Sequence, residues 1–159
     1  GDMLIASGHF NKILFVPIAL GSTSIVDWAP MGQHHQRLTE TIKMISVQKI
    51  KMTHALWVQG SADKTMSQAE YENAFRKISA IIPVSIHVSI STLCSNTGIP
   101  SVKLAQQNIQ TWKNAKPGPN LDQINLVAER PDGCHFSDTG ANRAAELWHQ
   151  SLTNSIDKR

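Results

Sequence analysis

Apolar positions along the chain follow two alternating rhythms. Residues 12–20 (KILFVPIAL) form a nearly continuous apolar run, the pattern of a strand buried on both faces. Leu38, Ile42 and Ile45 then recur at helical spacing and predict a helix over residues 34–50. A short apolar run at 54–60 ends at Gly60 and reads as a strand. Tyr71, Phe75, Ile78 and Ile82 form a second helical stripe, which Pro83 stops. Residues 84–91 (VSIHVSIS) predict a strand. Residues 100–113 predict a helix opened by Pro100, where a missing N–H costs nothing. The KPGPN stretch at 116–120 predicts a turn, and 121–128 a weaker strand. Ala141, Ala145, Trp148, Leu152 and Ile156 mark the face of a last helix. Ahead of all this, residues 1–8 resemble the tail of a helix, with Leu4 and Ile5 apolar and Gly8 a C-cap.

Strands and helices alternating at this length predict an α/β fold: a parallel sheet with helices on both faces. The 159 residues fit a single domain, 1–159, large enough to bury a core without obligatory staples. A net charge of +3 without a basic run indicates no nucleic-acid footprint. No apolar stretch approaches the roughly 20 residues that span a bilayer.

Three loops follow predicted strands, at the end of a parallel sheet where reactive groups gather. GSTSIVDW begins at Gly21, QGSADK follows the strand at 54–60, and RPDGCHFSDTG precedes the last helix. In the last of these, Asp132 and His135 are the right types for a general base and the carboxylate that orients it. The alternative is a turn-forming Asp-Gly beside an exposed His. Gln59 at a strand end can donate an amide N–H to a developing oxyanion, or can simply cap the next helix. Gly21 lets backbone approach a ligand, or makes a tight turn. His34 and His35 diverge on a helix and indicate no metal.

In this order the loops resemble the SGNH hydrolase superfamily, and within it the sialate O-acetylesterase-like carbohydrate esterases. The matching segments are Gly21-Ser22-Thr23, the stretch from Trp57 through Gln59 and Gly60 to Asp63, and Asp132-Gly133-Cys134-His135. STLC at 91–94 and KLAQQ at 103–107 add to the resemblance, which runs from Ile13 onward. Two positions depart from the pattern: Ser22 replaces a Gly and Ser61 a Glu. The resemblance implies a flavodoxin-like three-layer sandwich and removal of O-acetyl groups from carbohydrates, sialic acid or xylan-like. His135 would be the base, Asp132 its orienter, and Gly21 and Gln59 the oxyanion donors. Ser22, Trp28 and Gly60 would lie on substrate loops. No metal or organic cofactor is implied.

The family's nucleophilic serine follows its first strand, well before the Gly21 loop, and nothing before Gly21 matches that motif. The expectation is therefore that the chain is N-terminally incomplete, with the serine and the central first strand on a segment upstream. The missing segment would then be a partner of this chain. Two alternatives stay open: a small complete hydrolase using Ser22, which follows a predicted strand and a Gly, or a non-catalytic module that keeps the fold. Cys94 and Cys134 end two loops that this fold would bring together. A bridge between them, with Cα atoms about 4.4–6.8 Å apart, would point to a secreted or periplasmic setting. Two free thiols would fit the cytosol.

Overall fold

The computed structural model describes residues 1–156. Eight regular elements follow in order: α1 (Asp2–Ala6), α2 (His35–Val47), β1 (Ala55–Trp57), α3 (Gln68–Ser79), β2 (Ile86–Ile90), α4 (Pro100–Ile109), β3 (Ala115–Asn120) and α5 (Asp138–Ile156). Short 3₁₀ turns occupy Ile25–Asp27 and Leu121–Gln123. The three strands pair in parallel in the order β1-β2-β3. The α/β class is thus as the alternating pattern predicts.

The core grows from the helical stripes. Tyr71, Phe75 and Ile78 of α3 are fully buried against Val102, Ala105 and Ile109 of α4. A capping box starts α3: the Ser67 side chain accepts from the Glu70 N–H, and the Glu70 carboxylate accepts from the Ser67 N–H at 2.9 Å. Every residue of β2 is buried, so the central strand is covered on both faces. A second cluster joins Leu121 and Ile124 to Ala144 and Leu147 of α5.

Three expectations need correction. Residues 12–20 form no strand: they carry no ladder, and Leu14 and Phe15 are 62% and 60% exposed. An apolar run becomes a strand only when a neighbour takes its backbone hydrogen bonds, and among the described residues none pairs with it. KPGPN is not a turn but most of β3. Two prolines are tolerated because β3 is an edge strand. Pro117 sits opposite Val88 at a position whose N–H would face the open edge, so nothing is lost by its absence, and the Gln110 side chain donates to the Val88 carbonyl at 2.7 Å. Gly118 is required by closeness, since a Cβ there would lie 2.6 Å from that same carbonyl oxygen. Residues 121–128, expected as a strand, form the second 3₁₀ turn and irregular backbone.

No helix among the described residues is long and apolar enough to cross a membrane.

Candidate active site

The loop leading into α5 places an acid against a base. Gly133 adopts a left-handed φ of 72°, which bends the chain back over Asp132. One Asp132 carboxylate oxygen accepts the backbone N–H of Cys134 at 2.8 Å and of His135 at 2.7 Å. The other accepts Nδ1–H of His135 at 2.6 Å. These donors, the His135 ring foremost, hold the Asp132 carboxyl well below the usual carboxylate range. The His135 side chain is 83% exposed, and its Nε2 makes no hydrogen bond among the described residues. An imidazole held at Nδ1 and open at Nε2 is the arrangement of a general base awaiting a hydroxyl.

The loop is anchored from both sides. Cys94 and Cys134 form a disulfide with Cα atoms 4.0 Å apart, slightly closer than the expected span. The Asn96 N–H donates to the Gly133 carbonyl at 3.1 Å. Downstream, the Ser137 hydroxyl accepts the Gly140 N–H at 3.2 Å and so caps α5.

The other two loops are locked to each other. Gln59 donates through Nε2 to the Thr23 carbonyl at 3.1 Å and to the Asp63 carboxylate. Its Oε1 accepts the Tyr71 hydroxyl at 2.9 Å. Both amide hydrogens are therefore spent inside the protein, and Gln59 braces the first loop against the second. Asp63, only 4% exposed, also accepts the Ser24 hydroxyl and the Ile25 N–H. Burial pushes the Tyr71 hydroxyl above its ordinary pKa, so it stays a neutral member of this network. Gln106, fully buried, donates to the Gln59 carbonyl at 2.6 Å and accepts the Ser91 N–H at 3.0 Å. Contacts thus run from the first loop through the second to the end of β2, and from Asn96 to the dyad loop.

The remaining expected site residues divide. Gly21 and Ser22 are exposed, and space is open around Gly21. Ser22 has a left-handed φ of 60°, uncommon for a side-chain-bearing residue. No hydrogen bond joins Ser22 to a histidine among the described residues. Trp28, on the same loop, turns its ring inward: it is 5% exposed, and its indole N–H donates to the Thr23 hydroxyl at 3.0 Å. Gly60 lines no open surface either. It is buried, and a Cβ there would meet the Gln106 amide nitrogen and the Ser91 carbonyl oxygen at 2.5 Å. Asp63, Tyr71 and Gln106 organise the site yet carry no role in the sequence reading. Each left a signal there: Asp63 as the last residue of the segment from Trp57, Gln106 within KLAQQ, and Tyr71 at the head of a helical stripe. No group of three or more His, Cys, Asp or Glu among the described residues is placed to hold a metal.

The Asp132–His135 pair lies on a loop tied to the end of β2 by the Cys94–Cys134 bridge, the region of a parallel α/β sheet where ligands bind. The family model for carbohydrate esterases of the sialic acid-specific acetylesterase type matches residues 1–151, and the chain belongs to that family. Its class of chemistry is carbohydrate-ester hydrolysis. Neither a search of curated proteins nor one of solved structures gives a significant match.

Proposed function

We propose that this chain supplies the acid–base half of a serine esterase that removes O-acetyl groups from carbohydrates, with sialic acid or acetylated xylan as the substrate range. The observation that carries the reading is the Asp132–His135 pair, bonded at 2.6 Å with Nε2 open. In the reaction His135 takes the proton of a serine hydroxyl as it attacks the acetyl carbonyl. It then gives that proton to the sugar oxygen as the C–O bond breaks, so that the sugar leaves as its hydroxyl, and water repeats the cycle on the acyl-enzyme. Asp132 keeps Nδ1 protonated and the ring oriented. The backbone around Gly21 is the candidate oxyanion donor. Gln59 joins it only by giving up one of its two present acceptors.

The nucleophile, in this reading, comes from a segment outside these 159 residues. Two observations support it. β1 is an edge strand with backbone groups open to pairing, and the apolar run from Leu14 to Leu20 takes part in no ladder among the described residues. A further strand would satisfy such surfaces. The left-handed backbone of Ser22, exposed on a turn, favours a second reading in which Ser22 itself attacks.

One assay separates them. The 159-residue chain should hydrolyse p-nitrophenyl acetate no faster than its His135→Ala variant. Adding an upstream segment that bears a serine should restore turnover and sensitivity to a serine-directed phosphonate. Turnover by the chain alone, abolished by Ser22→Ala and accompanied by phosphonate labelling of Ser22, would establish the second reading instead.

A further inference from the structure

Arg130 stands two residues before Asp132 and is only 6% exposed. A buried guanidinium ordinarily sits against a carboxylate, but among the described residues none is in ion-pair contact with it. Asp122, Asp132 and Glu129 are the nearby charges that favour its cationic form, against the burial that disfavours it. Its N–H groups go instead to backbone carbonyls from three segments. Nε donates to Ile124 at 2.7 Å and Nη2 to Leu121 at 3.2 Å, both in the turn after β3. Nη1 donates to Leu93, after β2, at 3.4 Å, and to Cys134, between Asp132 and His135. The Phe136 ring covers the guanidinium at 4.1 Å.

This is a planar fork used as a tie, a geometry that a single ammonium cannot reproduce. It grips the dyad loop at Cys134, the residue whose own N–H is bonded to Asp132. Pro131, with its fixed φ, leaves little slack between Arg130 and Asp132. The disulfide holds the same loop at one covalent point, whereas Arg130 ties it to three outside carbonyls and closes it on itself at Cys134.

We propose that Arg130 is the positioning residue of the Asp132–His135 pair: its buried guanidinium sets the path of the loop, so that Asp132 meets the N–H groups of Cys134 and His135 and the His135 ring at once. The proposal rests on the esterase reading for the importance of the pair in the reaction. Its test requires no substrate, so either can fail without the other.

The test is a carbon-detected NMR titration of the Asp132 carboxyl in the full chain with the disulfide intact. Arg130→Lys keeps the charge but not the fork. Its Asp132 midpoint should rise by about one pH unit or more as the converging donors lose register. Arg130→Met should raise it further. A midpoint unchanged from wild type in folded Arg130→Lys would overturn the proposal, because the charge alone would then suffice. If neither variant folds, hydrogen exchange in the wild type decides. The Arg130 Nε–H should exchange as slowly as the Cys134 and His135 amides. Fast exchange at Arg130 beside protected amides would show that the loop holds without it.

Discussion

Asp63→Ala tests the coupling between the first two loops. The carboxylate receives three donors: the Ser24 hydroxyl, the Ile25 N–H at 3.3 Å and the Gln59 amide. Their fates on truncation differ. The Ser24 hydroxyl is only half-buried and can turn to water at little cost. Ile25 is fully buried, so its N–H is left unsatisfied, which costs about 1–3 kcal/mol. Gln59 keeps its bond to the Thr23 carbonyl but orphans its second amide hydrogen, for a similar cost. Relief from burying a carboxylate offsets part of this. The expected net loss is about 2–5 kcal/mol in urea unfolding. Asp63→Asn should lose less, since its carbonyl still accepts one donor and the Ser24 hydroxyl can rotate to accept from its amide. The local signature is amide hydrogen exchange: Ile25 should lose protection while Val88, in the central strand, keeps it. A loss under about 1 kcal/mol with Ile25 still protected would refute the reasoning, because the buried donors would then have other partners.

Two further outcomes follow from the dyad loop. The Cys94–Cys134 bridge spans 40 residues, so the Cys94→Ser/Cys134→Ser double variant should be about 4 kcal/mol less stable in guanidinium than the oxidised chain; equal midpoints would discount the chain-entropy contribution. The Asp132 carboxyl is held below its unfolded value, so its contribution is present above about pH 4 and fades as pH falls through the folded value. Asp132→Asn should therefore flatten the fall in stability below pH 4, and parallel acid profiles for the two proteins would contradict the assignment.

What the sequence alone determined is what needs only near neighbours. Asp132 and His135 are three residues apart on one loop, and Gly133 between them supplies the bend, so their bond is a local event. The α3 stripe of Tyr71, Phe75 and Ile78 is equally local in origin, because a helix satisfies its own backbone and its apolar face follows from periodicity. Strands satisfy theirs only through a neighbour, and that is where tertiary structure decided. Residues 12–20 have the composition of a buried strand and no ladder, whereas the Pro-Gly-Pro stretch of β3 joins the sheet because β2 is there to pair with it and the missing Pro117 N–H falls on the open edge. Trp28 and Gly60 looked like site residues from their loops, but their surroundings come from Thr23, Ser91 and Gln106. Arg130 is the furthest case: its four carbonyl partners lie on three segments, as far back as Leu93. A backbone carbonyl is present at every residue and leaves no mark in the sequence, so only the folded chain shows which ones a buried guanidinium will find.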